Sequence, residues 1–345
     1  MSKLRVGVIG LGMGVGHIRG FTSHKETDVV AAADLSRERR EKVEKEYSIS
    51  SVYEDGEHML EQEELDIAVI ATPNMLHAPL TIKAVEQGCH VLCEKPMAMT
   101  VEQAEAMKRT ADENSRILTI NFSYRFSDIS FALKRQIEKG ILGDIYYART
   151  VWHRRRFFPG FGGWFGSKAK SGGGPLIDLG VHRIDLALWL MGNPGPVSVY
   201  GVTHDSYVQE MIKDSDIEYD CEDLAVAMIK LEGGMTLVVE TSWGLHGKNS
   251  EYMRTAVYGT KGSAVQRNIE QGYSFEGWLY LEENGDLYDK KLIKSEMSAP
   301  SVHQNMVDVI KGRAENIGSP QSGIDVQKIL NGIYQSAETG REVKY

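Results

Sequence analysis

Three cysteines in 345 residues leave almost nothing to cross-link this chain. Cys89 and Cys93 stand four apart in an apparent strand, roughly 13 Å between Cα atoms, beyond disulfide reach, so buried thiols are expected. No apolar run reaches the roughly 18 residues of a membrane span, and the N-terminus enters directly into a strand pattern, not a cleavable signal. A cytoplasmic protein without a membrane partner is expected. Positive charge is also short. Lys and Arg total 39 against 48 Asp and Glu, a net charge of −9 that argues against nucleic acid as the main partner. The run Arg154, Arg155, Arg156 is the local exception, read as a solvated strand end or a partner for nearby carboxylates. No repeat, low-complexity tract or linker stands out. The rest, 42% hydrophobic and 25% charged with 35 Gly, is the composition of a globular protein of two domains.

Short apolar runs alternate with helical patterns over the first third. Residues 4–9, 29–33, 67–71, 90–93 and 117–120 read as buried parallel strands, and 36–47, 76–87 and 100–114 as amphipathic helices. That alternation predicts an α/β, doubly wound parallel sheet. Past Tyr124 the pattern changes to a helix over 129–139, a strand over 145–152, a glycine-rich loop and a meander. Hairpin turns are signalled at Gly233-Gly234, Thr260-Lys261-Gly262 and Asn284-Gly285. Helical patterns over 302–311 and 323–339 close the chain. The second domain is expected to be α+β with a mostly antiparallel sheet.

Asp178, His182 and Asp185 fall at i, i+4 and i+7 in the otherwise apolar stretch 175–191. On one helix they form a single polar stripe, and the residues around them leave no solvent-facing side. Buried charge is costly unless it is paired or faces a polar cavity. The stripe therefore marks either an active site or a self-satisfied network with His182 clamped between two aspartates. Pro175 suits the first helical turn and Gly192 the C-terminal cap, while Gly172 to Gly174 give a tight approach.

After the first strand comes Gly10-Leu11-Gly12-Met13-Gly14-Val15-Gly16, a turn that lets backbone N–H groups approach a pyrophosphate. Val15 breaks the strict fingerprint at its third glycine. About 20 residues on, the second strand ends in Asp34, the place of an acid that holds a ribose 2′-hydroxyl. Asp34 also suits a helix N-cap. It favours NAD, while Arg37, Arg39 and Arg40 leave NADP possible. At later strand ends stand Thr72-Pro73-Asn74 with His77, and Glu94-Lys95-Pro96. Pro96 keeps Lys95 extended, so its ammonium projects from the strand edge to hold a hydroxyl or carbonyl oxygen, or to pair with Glu94.

These motifs, Gly172-Gly173-Gly174 through Asp178 and His182, and the closing Ser336 to Arg341 together resemble the Gfo/Idh/MocA family, named for glucose-fructose oxidoreductase, inositol dehydrogenase and rhizopine catabolism. The resemblance implies a Rossmann domain over 1–122 and a substrate-binding and oligomerisation domain over 123–345. The open sheet of the second domain would mediate a homodimer or homotetramer. It also implies oxidation of a sugar, sugar derivative or cyclitol with a nicotinamide cofactor, with Lys95, Asp178 and His182 catalytic. Cofactor contacts are expected from Gly10, Gly12, Met13, Gly14, Asp34, Arg39, Thr72, Pro73, Asn74, His77, Glu94 and Lys95. Substrate contacts are expected from Lys95, Arg125, Arg154, Trp164, Asp178 and His182, with Asp185 a tether beyond His182 and no metal. The loop over 157–170 is expected to shape specificity. A redox-neutral hydrolase or lyase with transient oxidation, and a non-catalytic nucleotide-binding regulator, are the alternatives.

Overall fold

The computed structural model describes residues 3–156, 158–159 and 163–345. They sort into two compact units, 1–121 with 300–327 and 122–299 with 328–345. Among the described residues no helix is long and apolar enough to cross a membrane.

The first unit holds six parallel strands: β1 (Leu4–Ile9), β2 (Thr27–Ala33), β3 (Ser51–Tyr53), β4 (Ile67–Ile70), β5 (His90–Cys93) and β6 (Leu118–Ile120). Val6, Val8, Ala31 to Ala33, Ile67 to Ile70 and Val91 to Cys93 are all buried, the continuous apolar signature of a sheet covered on both faces. Helices α1 (Gly14–Thr22), α2 (Arg37–Tyr47), α3 (Gly56–Gln62), α4 (His77–Glu86) and α5 (Val101–Glu113) alternate with the strands. Ser36 caps α2 and Thr100 caps α5 through their side-chain oxygens. The order β3-β2-β1-β4-β5-β6 reverses direction between β1 and β4, which opens a crevice at their C-terminal ends where ligands bind in such sheets.

The second unit is built on nine strands: β7 (Ile145–Arg154), β8 (Pro196–His204), β9 (Leu224–Leu231), β10 (Thr236–Ser242), β11 (Glu251–Gly259), β12 (Gly262–Asn268), β13 (Phe275–Glu283), β14 (Asp286–Leu292) and β15 (Val343–Lys344). Their order is β14-β13-β12-β11-β7-β10-β9-β8-β15, and only β7 with β10 pair in parallel. The three expected hairpins form. In the last, Asn284 and Gly285 sit at φ 55° and 86°, left-handed at both central positions as a two-residue turn of type I′ requires. Helices α6 (Asp128–Glu138) and α8 (Val181–Leu190) pack against the sheet, with α7 (Lys168–Ser171) and α9 (Ser206–Ile212) in the connections. α9, within the expected meander, is an addition to the sequence reading. A core of Trp152, Leu179, Tyr219, Cys221, Trp243 and Met253 lies beneath.

Two helices close the chain, α10 (Val302–Ile310) and α11 (Pro320–Thr339). A single boundary at 122 misses the return of 300–327 to the first unit. That return satisfies an edge: β6 has only β5 as a strand partner, and its free side meets Gly318, whose carbonyl accepts Ile120 N–H at 2.8 Å, and Asn316, whose amide donates to the Leu118 carbonyl at 2.8 Å.

Candidate active site

The turn after β1 is built to approach a ligand closely. Gly10 has φ 93°, and a side chain there would strike the Ala71 backbone, so only glycine lets the turn lie against the end of β4. The close helix-to-strand contact usually made by the third fingerprint glycine falls to Gly14, whose Cβ would meet Val8 at 2.8 Å. Val15 is thereby tolerated, and nothing would obstruct a side chain at Gly16. α1 begins beside the exposed Met13 with no side-chain cap, and the turn closes on itself as Gly14 N–H donates to the Gly10 carbonyl at 3.1 Å and Gly16 N–H to that of Met13 at 3.0 Å. Asp34 Oδ2 accepts Leu11 N–H at 2.7 Å and Oδ1 accepts Ser36 N–H at 2.8 Å, fixing the acid beside the glycine turn. The helix cap is Ser36, not Asp34. Arg39 Nη1 lies 3.4 Å from Asp34 Oδ2 and within reach of Gly12. The hydroxyl of Thr72 is buried with no hydrogen-bond partner among the described residues. An uncapped helix start, a seated acid and an orphaned hydroxyl at the switch point fit a dinucleotide.

Two residues expected to touch cofactor turn inward instead. His77 is 1% exposed, with Nδ1 2.7 Å from the Pro96 carbonyl and Nε2 3.0 Å from that of Thr72. Burial pushes its pKa down. It braces the loop after β4 against the loop after β5. Glu94 is also buried: Oε1 accepts from His17 Nε2 at 3.0 Å and Asn121 Nδ2 at 2.7 Å, and Oε2 faces Lys95 N–H at 3.2 Å. Burial opposes its ionisation, but His17, Asn121 and Lys95 outweigh burial and hold it at about 2. His17 Nδ1 lies 3.0 Å from His303 Nε2, and burial, with His17 and His24 nearby, holds His303 at about 3. These carbonyl and carboxylate demands lie inside the unit, which is why the two side chains leave the ligand edge. Asn74 opens a single helical turn over Asn74–Leu76, after Pro73, and Lys95 is partly buried ahead of a cis peptide to Pro96.

In the second unit the striped segment starts with a wide turn of π geometry, Leu176–Gly180, and continues as α8. From Gly173 to Met191 every residue is buried except Asp178 and His182. Asp178 Oδ2 accepts from Trp243 Nε1 at 3.1 Å and lies 3.7 Å from Arg154 Nη1. Arg154 also donates to Glu251 at 3.1 Å and to the Tyr273 hydroxyl at 2.8 Å, while Glu251 receives Trp152 Nε1 at 2.6 Å. The His182 ring stands edge-on to Tyr124 at 5.2 Å and tilted over Trp152 at 5.9 Å. Arg183, fully buried, lies 4.4 Å from the Tyr124 ring, 5.0 Å from Trp152 and 5.4 Å from Phe275. Trp164 packs on Phe165 with centroids 4.0 Å apart. Of the loop expected to shape specificity, residues 157 and 160–162 lie outside the described residues.

Asp185 and Arg125 depart from expectation together. Arg125, expected to line a substrate pocket, is 2% exposed and its guanidinium grips Asp185, 1% exposed, at 2.6 Å from Nη2 and 3.0 Å from Nε. Burial pushes Asp185 up, with Arg125 pulling the other way. A buried aspartate needs a cation, and this one comes from 60 residues away, so Asp185 is no tether for His182.

Asp220, Glu222 and Asp223 hold roles that no spacing in the sequence signals. Asp220 accepts Lys168 N–H at 2.6 Å at the start of α7, and Asp223 accepts the N–H groups of Tyr207 and Val208 at 2.8 and 2.9 Å at the start of α9. Glu222 takes those of Gly174 and Leu176 at 2.9 and 3.0 Å, at the start of the site helix. Three acids in four residues cap three helices. Only their shared acidity ahead of β9 is visible in the sequence.

Residues 4–122 match the family model of the Gfo/Idh/MocA oxidoreductases with an NAD-binding Rossmann fold, and 131–265 match the Gfo/Idh/MocA C-terminal domain. The chain is 31% identical to D-glucoside 3-dehydrogenase of Escherichia coli (strain K12), over 99% of this chain and 98% of that one. It is 24% identical to the NADP-dependent scyllo-inositol 2-dehydrogenase of Bacillus subtilis (strain 168), over 99% and 96%. The crystal structure of aldose-aldose oxidoreductase from Caulobacter crescentus, complexed with glycerol, matches with a TM-score of 0.82 at 25% identity, covering 99% of this chain and 100% of that one. The chain belongs to the Gfo/Idh/MocA family and is a nicotinamide-dependent oxidoreductase.

Proposed function

We propose that the protein oxidises a secondary ring hydroxyl of a sugar, with D-glucosides the first candidates and cyclitols the next, and prefers NAD. One observation carries this reading: along a helix buried from end to end, the two residues left accessible are an aspartate and a histidine one turn apart. The similarity to D-glucoside 3-dehydrogenase supports the choice of substrate class. Asp34 supports NAD, because a 2′-phosphate would meet its negative charge. Arg39, with a side chain 56% exposed, is the group that admits NADP.

The backbone N–H groups of Gly12 and Met13, on the turn shaped by Gly10 and Gly14, would hold the pyrophosphate, Asp34 would hold the ribose, and the loop Thr72–Asn74 would border the cofactor. When bound, the nicotinamide supplies the two-electron acceptor. His182 takes the hydroxyl proton on an imidazole nitrogen. The Lys95 ammonium is suited to hold an oxygen on which negative charge develops as it becomes a carbonyl. Asp178, fixed by Trp243 and Arg154, orients a substrate hydroxyl, and Arg154 and Trp164 flank the sugar. Assembly into dimers or tetramers uses the uncovered sheet face, where Tyr200, Met228 and Val238 stand in register across β8, β9 and β10.

The test is to offer methyl β-D-glucoside, D-glucose, myo-inositol and scyllo-inositol with NAD or NADP and follow the reduced-nicotinamide band. A sugar should be oxidised with NAD, and Lys95→Ala and His182→Ala should each lose at least about a hundredfold in turnover while binding NAD normally. Asp34→Ala should weaken NAD much more than NADP. A His182→Ala protein that turns over normally would overturn the assignment of the base. Light scattering at micromolar concentration tests assembly, and a monodisperse monomer would count against the sheet face.

A further inference from the structure

We infer that Glu222 is a positioning residue for this chemistry, holding in place the wide turn that carries Asp178 and leads into the α8 turn that carries His182; the inference rests on the catalytic reading above. A helix start leaves several backbone N–H groups without partners, and here Pro175 interrupts the row. The Glu222 carboxylate spans that proline: one oxygen accepts Gly174 N–H, the other Leu176 N–H. The second oxygen also receives the Tyr334 hydroxyl at 2.8 Å. All three donors lie within ordinary hydrogen-bond distance and the carboxylate is buried, so the turn has one seat.

The glycine run before the helix follows from this clamp. A side chain at Gly173 would strike the Tyr334 hydroxyl, and one at Gly174 would strike the Glu222 backbone. The tight approach expected of these glycines is therefore the condition for the carboxylate to close on the turn. Asp220 and Asp223 cap their helices in the same manner, but neither α7 nor α9 carries Asp178 or His182. A cap stabilises any helix; this one also fixes where two reacting groups point.

The test uses the full chain with NAD present and 13C-labelled histidine. The His182 ring signal is assigned by its loss in His182→Ala and titrated against pH. In Glu222→Gln the His182 shifts and titration midpoint should move, and kcat should fall about tenfold to a hundredfold with NAD affinity unchanged, since small misplacements of a base cost that much. Tyr334→Phe should move both in the same direction by less. Asp223→Asn should lower Tm yet leave the His182 titration as in the wild type. If Glu222→Gln merely lowers Tm as Asp223→Asn does, with the His182 titration intact, the inference fails. Should Glu222→Gln not fold, an unmoved His182 titration in Tyr334→Phe overturns it alone. The ring titration needs no substrate, so a wild-type protein that oxidises none of the offered sugars would refute the functional reading without deciding this one.

Discussion

Glu94 in the first unit and Glu222 in the second are both buried carboxylates one residue from an ionisable neighbour, and they are held in opposite ways. Glu94 faces an imidazole, a side-chain amide and the charge of Lys95, which overcome burial and keep it ionised down to about 2. Glu222 meets only neutral donors, two backbone N–H groups and a phenol, and burial wins, raising it above the ordinary carboxylate range. Charged partners set protonation. Neutral dipoles set geometry, at the cost of a carboxylate whose folded environment favours the proton.

The strongest way to sharpen this contrast is to break the most completely buried charge pair. Arg125→Leu should cost about 3–5 kcal/mol in denaturant unfolding, because Asp185 is left buried without its cation, and adding Asp185→Leu should recover much of the loss. A single variant as stable as the wild type would show that the pair is dispensable.

Acid separates the two glutamates next. His303 is held at about 3 against an ordinary 6.5, so below pH 6.5 the unfolded chain takes the proton first and stability is lost as pH falls toward 3. Glu94, at about 2 against an ordinary 4.5, adds a second loss between those values. Glu222 runs the other way: its folded-state pKa is raised, so its contribution is present below the ordinary value and lost as pH rises. Tm measured down to about pH 4 should therefore fall less steeply in His303→Gln and Glu94→Gln than in the wild type, and more steeply in Glu222→Gln. Parallel curves for Glu94→Gln and Glu222→Gln would erase the distinction.

The smallest effect should come from a cap that touches one N–H group. Asp220→Ala should cost about 1 kcal/mol, read as a modest drop in the denaturant midpoint, with His182 unmoved.

These networks also mark where the sequence stops being readable. Strands such as Ile67–Ile70 were legible because burial on both faces leaves unbroken apolar runs, and the turns at Gly10, Gly233-Gly234 and Asn284-Gly285 because left-handed backbone selects glycine or asparagine. Ser51–Tyr53 was not, since a three-residue edge strand carries too few residues for a period. The wide turn over Leu176–Gly180 was invisible because the same residues fit an ordinary helix. Asp34 stands where its spacing from the glycine turn put it. His77, Glu94, Arg125 and Asp185 were misread because what decides their direction is a partner distant in sequence: the Pro96 carbonyl for His77, His17 for Glu94, and each other for Arg125 and Asp185. Glu222 and Asp223 were passed over for the same reason, as caps that reach their helices from elsewhere in the chain.

The return of residues 300–327 to the first unit bears on how such a protein can be taken apart and recombined. A graft of residues 1–122 into another enzyme would carry β6 with its free edge bare, without the Gly318 carbonyl and the Asn316 amide that close it, and without Gly323 packed against Met97. The nucleotide-binding half is thus inherited as two pieces of chain. Exchange between relatives therefore calls for both pieces from the same parent, with crossovers near 122, near 300 and inside the continuous helix that begins at Pro320.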